Sequence, residues 1–94
     1  MVTVSEAFQI ALDNESWILL TLSRDIHLAK YGYDTNTLTG VVSEVFEDHI
    51  MFHEWDNHRS YRKGNEPHHS MFISLHHIVA WEITPKFKDF EDLV

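Results

Sequence analysis

Residues Gly40 to Phe52, GVVSEVFEDHIMF, read as strand, tight turn, strand, with Glu47-Asp48 as the turn. Ser70 to Ile83, SMFISLHHIVAWEI, reads as two short strands that meet at His76-His77. Together these two segments predict a small, strongly bent β-barrel. Short strands with tight connections bury their apolar faces by curling one sheet on itself, not by stacking two.

The remaining segments fit around that sheet. Thr3-Val4-Ser5-Glu6 matches a capping box, with Thr3 as N-cap and Glu6 three residues on. Val4, Ala7, Phe8, Ala11 and Leu12 then recur at helical spacing, and Asp13-Asn14 closes the run, so a helix is predicted over 4–13. Such a helix is too short to persist alone and must pack its apolar face on something. Trp17 to Leu22 is the first strand, with Ile18, Leu20 and Leu22 on one face and Trp17, Leu19 and Thr21 on the other. Asp25 to Lys30 either continues it or begins a loop, and Tyr31 to Asn36 carries turn chemistry. Thr39–Phe46, His49–Trp55, Met71–Leu75 and Ile78–Ile83 complete five strands. Asp56 to His69 reads as a polar, mobile loop, Pro85 ends the sheet, and Lys86 to Val94 is a mixed-charge tail. The expected organisation is one domain over 1–94: helix 4–13, barrel 16–84, tail 85–94.

Ninety-four residues hold one core and no more, and a core that small is marginal by itself. Apolar residues lie on both faces of the expected strands, so a partner surface is expected to share the burial. Seven basic residues against fifteen acidic give −8, which opposes non-specific binding to a polyanion. Arg59, Arg62 and Lys63 concentrate three of the seven positive charges in one loop. There is no cysteine, hence no disulfide and no zinc-thiolate site. The opening MVTVSEAF lacks the basic and apolar regions of a secretory signal, and no apolar run nears the ~20 residues of a membrane span. A cytoplasmic, soluble protein without membrane partners is expected.

The order of elements and two local patterns resemble the Sm/LSm superfamily, including its bacterial Hfq type. Gly40 in the second strand, followed by the acidic Glu47-Asp48 turn, resembles the first motif of that family. Phe72-Ile73-Ser74-Leu75-His76-His77-Ile78-Val79 resembles the second, and His76 falls where Hfq-type proteins carry the His of a Lys-His pair. The chain departs from the family at Leu75, where the Lys of that pair would stand, and in lacking the Arg-Gly of the Sm motif and the base-facing Asn near the strand two–three turn, where His49 lies instead. The resemblance implies a helix and a five-stranded small barrel. It also implies homo-oligomers in which strand four of one copy pairs with strand five of the next, and RNA as a ligand. Met71 to Leu75 carries no charge, as suits an edge built to be covered. Met71, Phe72, Ile73, Leu75, Val79 and Trp81 are the expected interface.

Eight histidines invite a search for chemistry. His53-Glu54-Trp55-Asp56-Asn57-His58 approaches a zinc-protease motif, but its histidines stand five apart, not four, and on a strand. His53, His58, His68 and His69, with Glu54, Asp56 and Glu66, flank one loop and offer donors suited to zinc or nickel, although solvated loop histidines are the expected outcome. His76 and His77, at a junction between strands, are the stronger ligand-contact candidates. His49, Arg59, Arg62, Lys63, Trp55 and Tyr61 extend that candidate nucleic-acid surface, with Trp55 and Tyr61 expected exposed for stacking. Trp17 and Trp81 are expected in the core or an interface. No Ser, Cys or Lys stands in a nucleophile context and no glycine-rich phosphate loop exists, so no enzyme activity and no cofactor is expected. Three functions remain open: a self-assembling Sm-like scaffold with RNA as ligand, an acidic regulatory module that engages a basic protein partner, and a metal-dependent activity through the loop histidines.

Overall fold

The computed structural model describes residues 3–84, a helix followed by a five-stranded antiparallel sheet. The tail expected over 85–94 lies outside the described residues. Helix α1, Val4–Asp13, starts where the sequence predicts: Thr3 Oγ1 accepts the Glu6 N–H at 3.1 Å. The Glu6 carboxylate in turn accepts from the Thr3 hydroxyl. The helix ends in paired reverse bonds, Ser16 N–H to Ala11 O and Glu15 N–H to Leu12 O, with Glu15 at φ 52°.

The strands are β1 (Trp17–Leu28), β2 (Tyr33–Val45), β3 (His49–Glu54), β4 (His69–Ser74) and β5 (Ile78–Thr84), in sheet order β4-β3-β2-β1-β5. β1 takes the longer of its two expected courses. The β1–β2 turn closes at Ala29–Gly32, where the N–H groups of Tyr31 and Gly32 both reach Leu28 O. The turn expected over Tyr31–Asn36 is therefore shorter and earlier, since Tyr33 to Asn36 already lie in the ladder with β1. Gly32, at φ 72°, supplies the left-handed step.

Three irregularities bend the sheet. Between Thr21 and Ile26, β1 runs four residues past a single residue of β2. β5 has Val79 unpaired beside β1, and β2 has Ser43 unpaired beside β3. Extra residues on one strand of a pair kink it and increase its twist. Gly40 marks the tightest approach: a Cβ there would stand 1.9 Å from the His53 carbonyl oxygen. The bending stops short of closure. β4 and β5 are the two edges of the sheet and do not pair with each other, so the barrel expected from the sequence is an open curved sheet.

The inner face of the sheet carries the core. Ile18, Leu20, Leu38, Val42, Ile50, Phe52 and Ile73 pack there against Phe8 and Ala11 of α1. Trp81 joins it through a 5.4 Å ring contact with Phe8. The period of two along β1, which put Ile18, Leu20 and Leu22 on one side, is the pattern that this burial requires. A second, smaller cluster lies on the outer face. The segment expected as a mobile loop contains helix α2, His58–Arg62, whose N-terminus is capped by Asn57 Oδ1 accepting Ser60 N–H at 2.8 Å. Its Tyr61 and His58 rings cover Trp17 and Trp55 at 4.9 to 5.8 Å. A turn, Leu75–His77, joins β4 to β5. No helix among the described residues is long and apolar enough to cross a membrane.

Candidate functional site

The residues singled out in the sequence fall into three places. The first is the end of the sheet where β2 turns into β3 and β4 turns into β5. His49 opens β3 opposite Ser74 of β4. Its ring stacks on Phe46 with centroids 4.4 Å apart and planes 14° apart, and it meets Phe72 edge-on at 5.6 Å. His49 Nδ1–H donates to Asp48 Oδ1 at 2.6 Å, while Leu75 N–H donates to the Asp48 carbonyl at 2.9 Å. The hydrogen bond from His49 is the largest cause holding the Asp48 carboxyl below the usual carboxylate range, and the nearby His76 adds to it. His49 is bonded to that carboxylate, and His76 acts on it only through its field. His77 diverges: its half-buried ring reaches Ser23 Oγ of β1 at 3.4 Å.

The second place is α2, which carries Arg59 and Arg62, with Lys63 as its C-cap. This basic group is not continuous with the histidines. β3 runs between them, and six residues of strand span about 20 Å. Trp55, expected exposed, is instead 6% exposed under Tyr61, with its Nε1–H donating to Asn65 O at 2.9 Å. Tyr61 is half-buried, and burial raises its phenol pKa. Neither ring is presented for stacking on a base. Trp17 is buried in the same cluster.

The third place is a polar cluster on the inner face beside the β1–β2 turn. Glu54, named in the sequence only as a flank of the histidine loop, is 3% exposed at the end of β3. Tyr31 Oη–H donates to Glu54 Oε2 at 3.0 Å, and His69 Nδ1–H donates to Glu54 Oε1 at 2.8 Å. His69 Nε2 accepts the Lys30 backbone N–H at 3.1 Å, which fixes the ring as the neutral Nδ1–H tautomer. His68 Nδ1 lies against Tyr31 Oη, and the His68 backbone N–H donates to Glu54 O at 2.8 Å. Burial first, and then the hydrogen bond to Glu54, push the Tyr31 phenol pKa strongly up. Of the four loop histidines, His68 and His69 thus share the Tyr31–Glu54 pair, and His53 and His58 lie apart from it. His53 bridges two serines, Nδ1 to Ser70 Oγ at 2.7 Å and Nε2 to Ser43 Oγ at 2.8 Å, while His58 packs on Trp17. Among the described residues, no three His, Cys, Asp or Glu side chains are arranged to hold a metal ion.

The expected interface residues divide by face. Met71, Ile73, Leu75 and Trp81 pack against their own core. Phe72 of β4 and Val79 of β5 face outward, 63% and 60% exposed. Phe46 and Tyr31 were not singled out as site residues. Phe46 follows a strand and Tyr31 sits in a turn, and only the pairing across the sheet gives either its partners. Comparison of the chain with protein-family models, with curated proteins and with solved structures finds no match.

Proposed function

We propose that this chain is a non-catalytic, Sm-like module that assembles with copies of itself, β4 of one copy pairing with β5 of the next. The observation that carries the reading is the strand order, which leaves β4 and β5 as the two edges of one antiparallel sheet. Open edges of similar length, six and seven residues, are templates for each other. Each also carries one large outward apolar side chain, Phe72 or Val79, which edge pairing would bring toward cover. Because the two edges differ, the contact is heterologous, and repeated copies close into a ring if the rotation permits. Native mass measurement tests this, with Phe72→Lys as the variant, since an edge lysine opposes strand addition. A multimer that falls to monomers in Phe72→Lys, with an unchanged circular dichroism spectrum, is expected. A wild-type monomer at tens of micromolar, on the order of ordinary assay concentrations, overturns the reading.

One observation favours a ligand for the assembled module. The stacked Phe46 and His49 rings, with His76 near the same carboxylate, form a π-surface at a strand junction, the kind of platform on which unpaired bases stack. We assign single-stranded RNA to it as the second reading. The −8 charge limits the affinity that phosphate contacts contribute. Fluorescence anisotropy with short U-rich and A-rich RNA at low salt decides it, with binding lost in His49→Ala expected. Flat anisotropy for both RNAs removes the assignment.

A further inference from the structure

The polar cluster around Glu54 lies at the other end of β3 from the stacking surface and meets the proposed assembly only at His69, the first residue of β4. It ties together three stretches of chain: the β1–β2 turn through Lys30 and Tyr31, the end of β3 through Glu54, and the start of β4 through His68 and His69. Within itself the turn is held by the two bonds to Leu28 O and by the Leu28–Tyr33 pair at its base. Tyr31 lies edge-on to both histidine rings, at 5.3 and 5.4 Å.

Its protons can be counted. The Glu54 carboxylate only accepts, so His69 must present Nδ1–H to it. Lys30 N–H only donates, so His69 must present a bare Nε2 lone pair to it. The Tyr31 hydroxyl has one proton and two neighbours, Glu54 and His68 Nδ1, and can rotate between them. The side of the cluster at Tyr31 therefore has slack. The side at His69 has none, because the single free position on the ring is where Lys30 N–H already points.

We propose that this cluster is a proton-sensitive latch, in which an added proton on His69 Nε2 displaces the Lys30 N–H and releases the β1–β2 turn from β3 and β4. Two donors cannot face each other at hydrogen-bond distance, so either the proton or the turn must leave. The titratable groups that face the ring are Glu54 of β3 and Tyr31 of the turn; His68 ahead of β4, Asp56 and Tyr33 of β2 act in turn on Tyr31. Release uncovers the Glu54 carboxylate and Leu28, which is 2% exposed with the latch closed.

The test follows Lys30 amide exchange and the His69 ring nitrogen shifts by NMR of the full chain between about pH 7.5 and pH 5. After correction for intrinsic exchange, Lys30 protection is expected to fall about tenfold, the worth of one lost hydrogen bond, in step with protonation of His69 Nε2. Protection of Ile50, which lies in the core, follows global stability alone and should fall by less than that of Lys30 over the same range. His69→Asn keeps a donor for Glu54 and removes the acceptor for Lys30, so Lys30 is expected unprotected at both ends of the range. His68→Asn leaves the latch bond intact and should keep the wild-type response. Lys30 protection that is unchanged at pH 5 in the wild type overturns the proposal, as does a response that survives in His69→Asn. The wild-type measurement decides it alone if a variant does not fold.

Discussion

Glu15 makes the backbone reversal that helices usually assign to glycine. It sits at φ 52° directly after the Asn14 cap, exposed, and the two bonds that close the helix depend on that angle. A side chain with a Cβ pays for this conformation with about 1 kcal/mol or more, which glycine avoids. Glu15→Gly is therefore expected to stabilise the protein by about 1 kcal/mol in urea denaturation, and an unchanged or lower midpoint would contradict it. Gly40 is the opposite case. Its missing Cβ is what allows β2 to lie against the His53 carbonyl, and backbone cannot step aside as a flexible side chain can. Gly40→Ala is expected to lose about 3 kcal/mol or more, read as a fall in Tm or a failure to fold. Gly40 was legible in advance, because a glycine inside an otherwise β-branched strand signals a bend or a close approach. Glu15 was not, since nothing in Asp-Asn-Glu-Ser distinguishes the left-handed residue from its neighbours.

At the scale of elements, α2 is the one the local pattern conceals. Five residues cannot hold a helix by propensity, and Asp56 to His69 has the polar composition of a loop. What forms the helix is the Asn57 cap at one end, Gly64 at φ 80° at the other, and two outer-face tryptophans that need cover. The His58 ring is part of that cover. Burial first, and then the Arg62 guanidinium, lower its pKa from 6.5. The folded state therefore binds this proton less readily than the unfolded chain, so the contribution of His58 is complete above pH 6.5 and is lost as pH falls from there through its lowered value. The urea midpoint should drop on acidification across that window, and His58→Gln should reduce the drop. An equal drop in the variant would remove His58 as a cause. The other elements were readable because each satisfies a period of its own: α1 with its cap, and the strands with their alternation.

The whole molecule is an open curved sheet in an acidic chain, and both properties bear on association. At neutral pH each copy carries −8, a repulsion that edge pairing must overcome. Full protonation of eight histidines would bring this to about zero (−8 + 8). Between about pH 5 and 6, light scattering is expected to rise through larger assemblies or reduced solubility; scattering that stays flat from pH 7.5 to 5 would speak against this. The Lys30 and His69 signals separate that global effect from the latch, since they report one bond inside one copy.

The amino-acid order by itself determined the helix, the five strands, the bend at Gly40 and the inward side of β1. Each of these is a local pattern of spacing, capping or a missing Cβ, written within a few neighbouring residues. Tertiary structure alone decided that the sheet stays open, that Trp55 is buried beneath α2, and that Tyr31, Glu54, His68 and His69 share one set of protons. Tyr31 and His68 stand 37 residues apart, and no periodicity reaches across that distance. Only the register of β3 against β4, and the turn folded over their end, brings those groups within bonding range.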